Sequence, residues 1–386
     1  MRWIGWVLLC GCFHMAYVLR LSAGVLREPL SAEFTLSASS FGLMSSMVFY
    51  AYTLLQIPSG VLADTRGVRS TVAGGMALAG AGALLFASAK SVPALFFGRA
   101  LMGVGVAGIF VCVMKFLAEN FERERFATLS GATSFAGNAG GIVAQAPLAM
   151  LVGALAWRGA FLSLGAVCLA LAVLSALFLP AGRRSDVSQA ELRAGVRAIL
   201  RTRGMYFTGL NYLANQSCFL ALSGTWGVSY LRAVHGIDQA PSYITLMVVG
   251  VMAGAVVAGR ISDGARSRRR PLRLFAAAHA LCWGALLLSG SGISLYALAG
   301  TLFSLGFFAG ALVLPWSMAK EMNPPEFTGV AIALLNTAAF LAVAVLTSLM
   351  GVALDAAAGL SAEGAWRAAL LLPFGVSVLG LWGAFA

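Results

Sequence analysis

Long apolar runs alternate with short polar breaks along the whole chain. A helix that spans a bilayer needs about 20 mainly apolar residues, and twelve runs meet this requirement, six before and six after an arginine-rich stretch. They lie at 3–26, 39–59, 70–89, 93–117, 127–152, 158–179, 204–230, 240–261, 273–290, 293–318, 328–353 and 367–385. The pattern predicts an all-α membrane protein with a six-helix bundle at 1–180, a cytoplasmic linker at 181–203 and a second six-helix bundle at 204–386.

Composition supports this interpretation and excludes two others. The 386 residues are 60% hydrophobic and only 10% charged, whereas a soluble domain has about 25% charged residues. A chain this apolar also lacks the polar composition of a disordered protein. The net charge of +12 would suggest a nucleic-acid partner in a soluble protein, but here it bears on membrane orientation.

The basic residues divide unequally between the two sides of the predicted membrane. With the N-terminus in the cytoplasm, the linker arginines and the run 266–273 are cytoplasmic, and the outer side keeps few basic residues, among them Arg99. This is the positive-inside distribution. We therefore predict a multi-pass protein of a bacterial inner membrane, with both termini cytoplasmic and no nucleic-acid partner.

Three features recur in the same order in the two halves of the chain. They are GVLAD at 60–64 and GRISD at 259–263, then Asn138 and Asn336, and then the Trp-Arg pairs at 157–158 and 366–367. Their corresponding positions indicate two homologous bundles related by an axis along the membrane normal.

These residues carry a resemblance to a known family. The loop GVLADTRGVR at 60–69 is similar to the signature G-x-L-a-D-r-x-G-r-k of the major facilitator superfamily, although Thr65 and Val68 replace basic positions. The segment YVLR at 17–20, the run FYAYTLLQIPSG at 49–60 and Trp226 resemble the sugar-phosphate and organic-anion permease branch. The resemblance implies twelve helices in two pseudo-symmetric bundles and transport by rocker-switch alternating access. The sequence contains no Walker motif, nucleophile–base pair or metal cluster, so we expect no enzymatic activity.

Arg20 is a charge that lies well inside the first predicted span. Charges at membrane depth are costly and therefore mark functional candidates. Tyr17 lies one turn earlier on the same helix face, and a guanidinium matches carboxylate or phosphate with a fixed fork of donors. We predict that Arg20 faces the central cavity and binds an anionic substrate group. The alternative is that it snorkels to the outer interface or pairs with Glu28 or Glu33.

Two departures from the resembling phosphate antiporters bear on the substrate. Those antiporters have an arginine where this chain has Leu220, and a lysine where it has Gln56. One cationic ligand would compensate a doubly charged phosphate ester poorly. The expected substrate is therefore a small organic anion, favouring a carboxylate.

Further polar residues within the spans are candidates for substrate binding. They are Tyr52, Gln56, Asn138, Asn215, Gln216 and Asn336. An amide in a span bonds a substrate hydroxyl or carbonyl without the cost of a charge. The alternative role of these amides is hydrogen bonding between helices.

All fourteen acidic residues fall in loops or at predicted helix ends. Proton-coupled pumps commonly use mid-membrane carboxylates, so their absence from the runs favours anion exchange, facilitated movement, or coupling through His14 as a proton carrier. Asp64 and Asp263 are gating candidates, which would cap helix amides or pair with arginines such as Arg69 and Arg125.

The sequence predicts no cofactor and no metal site, because no ligand cluster with metal spacing occurs and the six cysteines lie in apolar runs. The expected partners are the lipid bilayer, a small anionic substrate, and a counter-anion or proton, and the expected state is a monomer. Two alternatives to a small-anion transporter stay open: a permease or exporter of a larger amphipathic molecule such as a siderophore or drug, and a transporter-like membrane sensor.

Overall fold

The computed structural model describes residues 2–181, 189–324 and 327–386, and within them every regular element is a helix. The N-terminal half contains α1 Arg2–Leu21, α2 Arg27–Phe34, α3 Ala38–Arg66, α4 Val68–Ala87, α5 Val92–Val106, α6 Ile109–Asn120, α7 Arg123–Val143 and α8 Ala146–Phe178. The remainder contains α9 Gln189–Arg201, α10 Arg203–Ala221, α11 Gly227–His235, α12 Ala240–Gly264, α13 Arg269–Leu288, α14 Leu295–Ala309, α15 Val313–Met322, α16 Thr328–Ala356 and α17 Ala362–Phe385. The all-α prediction is confirmed.

Within the described residues, ten helical segments are long and apolar enough to cross a membrane. They coincide with ten of the twelve predicted runs. The runs 127–152 and 204–230 are also helical, as α7 with the start of α8 and as α10 with α11. The count of twelve spans stays a prediction.

Several helices depart from the predicted single runs. A π-helical turn, Leu222–Trp226, joins α10 to α11. The helix α8 contains one non-helical residue, Ala156, with φ of 56°, so its two parts belong to the fifth and sixth predicted runs. The short helices α2 and α9 lie outside all twelve predicted runs, and α9 buries Ile199.

The chain divides into two compact units. The first contains α1, α3 from Met47 onward, and α4 to α8, and it includes the short segment Ala32–Phe34. The second contains Ala23–Ser31, Thr35–Ser46 and the helices α9 to α17. The first turns of α3 thus belong to the second unit.

Close backbone approach holds the helices α12 and α14 of the second unit together. A Cβ atom on Gly254 would lie 1.8 Å from the carbonyl oxygen of Phe307, and one on Gly306 would lie 1.9 Å from that of Met247. Because a backbone carbonyl cannot rotate away, only glycine fits at these crossings, which is the usual reason for small residues between membrane helices.

The N-terminus of α3 is held by a carboxylate of α16, also in the second unit. Asp355 accepts hydrogen bonds from the backbone N–H groups of Ala38 and Ser39, both at 2.9 Å. These two groups are among the N–H groups that a helix leaves without an internal partner, and a negative charge there also favours the helix dipole.

Candidate functional site

Arg20 lies near the C-terminal end of α1 and is only 5% exposed. Its Nε donates a hydrogen bond to the carbonyl of Ala16 at 3.1 Å. Its guanidinium carbon lies 4.5 Å from the ring centre of Tyr17, 5.1 Å from that of Tyr52 and 6.0 Å from that of Phe13. These are cation–π distances, so the charge is held between aromatic rings of α1 and α3.

The two acids that the alternative interpretation assigned to Arg20 bind other arginines. Glu28 accepts a hydrogen bond from Arg232 at 2.6 Å in the second unit. Glu33 forms an ion pair with Arg158 in the first unit. Both carboxylates are therefore already engaged by cations of their own units.

Tyr52 and Gln56 extend the group around Arg20 along α3. Both side chains are 3% exposed, and they are separated by one helical turn. The Tyr52 hydroxyl is hydrogen-bonded to the side chains of both Arg20 and Gln56. The structure thus brings together four of the predicted substrate-binding residues, which we call the Arg20 group: Arg20, Tyr17, Tyr52 and Gln56.

Arg99 is a buried arginine whose contacts sequence analysis missed. Sequence analysis places it among the outer-side charges, yet it is fully buried. Its Nη1 donates to the carbonyl of Leu19 at 3.0 Å and to Ser22 Oγ at 3.1 Å. The last carbonyls of a helix have no internal partner, so this guanidinium stabilises the end of α1 that carries Arg20. The available signal was its position inside an apolar run.

The helix α7 packs against α1 beside the Arg20 group. A Cβ on its Gly140 would lie 2.3 Å from the carbonyl of His14 and 3.0 Å from the Cβ of Tyr17. The half-buried His14 contacts α7 through Nδ1, 3.0 Å from the carbonyl of Ala136. Because a carbonyl only accepts, Nδ1 carries the proton.

Asn138, also on α7, is half-buried. It donates to the carbonyl of Ser134 one turn earlier at 3.0 Å. Its predicted role in substrate binding stays a prediction.

Of the predicted amides of the second unit, Asn336 bonds to a neighbouring helix and Asn215 bonds within its own helix. Asn336 accepts a hydrogen bond from the Tyr212 hydroxyl at 2.6 Å. Asn215 donates to Asn211 at 3.1 Å, and Asn211 donates to the carbonyl of Gly380 at 3.0 Å. The contacts of Asn336 and Asn211 match the alternative role in helix association, and a role of Asn336 and Asn215 in substrate binding stays a prediction.

Two further polar side chains of the second unit lie on α10 and α15. Gln216 is buried on α10. Trp316 on α15 has its ring 6.0 Å from that of Tyr212, and its Nε1 is a buried donor without a hydrogen-bond partner among the described residues. Trp316 was not among the predicted residues, because a tryptophan in an apolar run gives no polar signal.

The first gating candidate, Asp64, binds a lysine and not the suggested arginines. Lys115 Nζ lies 2.6 Å from its carboxylate, donates to the carbonyl of Ala63 at 3.0 Å, and lies 3.9 Å from Glu119. The N-cap of the next helix is a glycine. Sequence analysis missed this pairing because the sequence does not show that α6, which carries Lys115, lies beside the end of α3.

The suggested arginine partners have other surroundings. Arg125 pairs with Glu122 at 3.5 Å, and Arg69 lies exposed in the first turn of α4. Their gating role stays a prediction.

The second gating candidate lies in an equivalent cluster of the second unit. Arg268 Nη1 lies 2.5 Å from Asp263, and its Nε lies 3.0 Å from Glu321. The hydrogen bonds that Arg268 donates to these two carboxylates raise the pKa of Arg268 above its ordinary value. Each unit therefore carries an aspartate, a cation and a glutamate in contact. The aspartate lies near the end of α3 in the first unit and near the end of α12 in the second unit.

Known proteins with similar sequences are named as transporters of organic anions. The probable sulfoacetate transporter SauU of Cupriavidus necator is 26% identical over 361 residues, which cover 85% of this chain and 82% of that protein. The probable L-galactonate transporter of Escherichia coli K12 is 26% identical over 64% of this chain, and monocarboxylate transporter 11 of Mus musculus is 30% identical over 67% of it. Each of the latter alignments spans 58% of the relative's own length.

Solved structures share the fold at low sequence identity. A bacterial homologue of the human lysosomal transporter Spinster, in an inward-facing and unoccupied conformation, matches with a TM-score of 0.79 and 14% identity over 100% of this chain and 95% of that chain. A point mutant of the nucleoside transporter NupG matches with a TM-score of 0.78 and 12% identity over 99% of both chains.

The family assignment rests on most of the chain. The model of the Major Facilitator Superfamily matches residues 8–347, which include both copies of the repeated loop and the whole Arg20 group. Relatives and structural neighbours alike are transporters and not enzymes. The chain is a multi-pass membrane transporter that belongs to the Major Facilitator Superfamily.

Proposed function

We propose that this protein is a secondary transporter that moves a small organic anion, with Arg20 as the residue that binds the anionic group. The observation that carries the proposal is the burial of Arg20 between the rings of Tyr17 and Tyr52. The relatives named for sulfoacetate, L-galactonate and monocarboxylates support the same substrate class.

The electrostatics of the Arg20 group favour a single negative charge. A guanidinium binds carboxylate or sulfonate through two parallel hydrogen bonds, and burial strengthens the attraction because the effective dielectric constant is lower than in water. Beside it, α3 contributes the neutral side chains of Tyr52 and Gln56. A monocarboxylate therefore fits this group better than a doubly charged phosphate ester.

Alternating access is the transport mechanism that this proposal includes. The clusters around Asp64 and Asp263 lie at helix ends and consist of charge-assisted hydrogen bonds. Such contacts are strong enough to favour one conformation and, at partly exposed positions, weak enough to break within a transport cycle. We infer that they open and close as the conformation changes.

The remaining parts of the proposal concern location and coupling. The asymmetric distribution of arginines supports a bacterial inner membrane with both termini in the cytoplasm, and we propose a monomer. His14, six residues before Arg20 on α1, is the candidate proton carrier if transport is proton-coupled; otherwise a counter-anion is exchanged.

Reconstitution into proteoliposomes tests the proposal. We expect uptake of radiolabelled butyrate or gluconate by the wild-type protein, and loss of uptake in Arg20→Ala. Arg20→Lys keeps the charge but loses the paired hydrogen bonds, so its uptake should be reduced. Binding without flux for every bound anion would instead identify a sensor. Equal binding of butyrate and the neutral butyramide would indicate an amphipathic cargo.

A further inference from the structure

Gln56 carries a buried oxygen with unused hydrogen-bonding capacity. Its side chain is 3% exposed, and its Oε1 has no hydrogen-bond partner among the described residues. The large majority of buried polar atoms in proteins have a partner, and leaving an acceptor unsatisfied destabilises the folded protein. An oxygen kept in this state, next to a binding site, is typical of an atom whose partner is a ligand.

The position of this oxygen relates it directly to Arg20. Gln56 follows Tyr52 on α3 by four residues, so the two side chains lie on one helix face with Cβ atoms about 5–6 Å apart. The Arg20 guanidinium carbon lies 5.1 Å from the centre of the Tyr52 ring. The Tyr52 hydroxyl is hydrogen-bonded to the side chains of both Arg20 and Gln56, and the Gln56 amide keeps its Oε1 without a partner among the described residues. Gln56 therefore lies one helical turn beyond Tyr52, on the same face of α3 that contacts the Arg20 guanidinium.

The chemistry of the partner follows from these two neighbours. An amide oxygen only accepts hydrogen bonds, so the partner must be a donor, and an ionised carboxylate is excluded. An ammonium donor would be repelled by the buried guanidinium of Arg20 at this separation. A hydroxyl is a neutral donor of suitable size.

We propose that Gln56 accepts a hydrogen bond from a substrate hydroxyl, so that the substrate is a hydroxylated monocarboxylate. This inference rests on the proposed function, in which Arg20 binds the carboxylate of the same molecule. The hydroxyl lies beyond the carboxylate along the substrate, because Gln56 lies one turn beyond Tyr52.

Matched ligands and a matched control variant test this inference. Butyrate, 3-hydroxybutyrate and 4-hydroxybutyrate have the same charge and chain length and differ in one hydroxyl. For the purified wild-type protein, we expect a Kd about fivefold to tenfold lower for a hydroxylated ligand than for butyrate, the range of one neutral hydrogen bond. In Gln56→Met this ratio should fall to about one, because methionine has similar size and no acceptor of comparable strength. The same change at the exposed Gln239 should leave the ratio as in wild type.

The outcomes separate this inference from the proposed function. A wild-type ratio of about one, or a high ratio that persists in Gln56→Met, would overturn the role of Gln56 while Arg20-dependent binding stands. If none of the three ligands binds, and gluconate does not bind either, both the role of Gln56 and the proposed function are contradicted. We expect Gln56→Met to fold, because the substitution removes an unsatisfied atom; Gln56→Leu provides the same test if it does not.

Discussion

The ion pair between Asp64 and Lys115 should contribute measurably to the stability of the first unit. The substitutions are Asp64→Asn, Lys115→Met and the double variant. Asparagine keeps an acceptor of similar size but removes the charge, and methionine keeps most of the lysine's apolar stem. The hydrogen bond from Lys115 to the carbonyl of Ala63 survives Asp64→Asn, so that single substitution should not release the lysine completely.

The magnitude follows from the geometry and exposure of the pair. A hydrogen bond to a charged group contributes about 1.5–3 kcal/mol to the free energy of unfolding, and Lys115 Nζ lies in close contact with Asp64 Oδ1, at 2.6 Å. The Asp64 side chain is 34% exposed and that of Lys115 14%, so solvent screening reduces the expected coupling energy to about 1–2 kcal/mol.

A double-mutant cycle measured by unfolding in mixed detergent micelles provides the assay. The pair Arg125 and Glu122, whose side chains are 56% and 63% exposed, serves as control and should show coupling below about 0.5 kcal/mol. Additive effects of Asp64→Asn and Lys115→Met, within about 0.5 kcal/mol, would refute the reasoning. If the contact also gates transport, Asp64→Asn should slow proteoliposome uptake, and unchanged turnover would limit the pair to a structural role.

Two further predictions concern helix contacts of the second unit. Gly254→Ala should sharply lower the yield of folded protein in size-exclusion profiles, because its Cβ would lie 1.8 Å from the carbonyl oxygen of Phe307 and overpacking of this kind destabilises the fold by about 1–3 kcal/mol or more. Gly259→Ala on the same helix, with no atom near its Cβ, should be tolerated. An equal loss of folded protein in both variants would contradict this prediction. Asp355→Ala should accelerate hydrogen exchange in the first turn of α3 by about tenfold, since loss of an N-terminal cap destabilises a helix by about 1 kcal/mol or more. The exchange rates are measured by mass spectrometry at Ala38 and its neighbour. Exchange rates equal to those of wild type would show that the carboxylate does not stabilise the start of α3.

Sequence analysis predicted the helices well because the bilayer imposes a length and composition that a single segment must satisfy alone. The short helices α2 and α9 were missed because they lie between the long apolar runs, where no such length requirement applies. The π-helical turn inside the seventh run was also missed, because it leaves the apolar pattern unchanged.

Contacts between helices could be predicted only in part. The partner of Asp64 is Lys115, and the donor to the end of α1 is Arg99; each choice depends on which helices are neighbours, and the pattern of one chain does not determine this. The roles of the amide side chains could not be decided from the sequence for the same reason. Asn336 was equally consistent with lining a cavity and with packing, and its contact with Tyr212 appears only once α10 and α16 are placed side by side.

Ligand binding to an Arg20 variant tests the central claim most directly. Isothermal titration of butyrate, 3-hydroxybutyrate and gluconate should be compared in wild type, in Arg20→Gln and in Arg197→Gln, the same change at an exposed arginine of α9. Removing one partner of a buried charge pair, here the guanidinium that binds the anionic group, weakens the binding free energy by about 2–5 kcal/mol. We therefore predict that at least one ligand binds wild type and Arg197→Gln alike, and binds Arg20→Gln at least about thirtyfold more weakly. A Kd in Arg20→Gln within about twofold of wild type, or no binding of any of the three anions to wild type, would contradict the account.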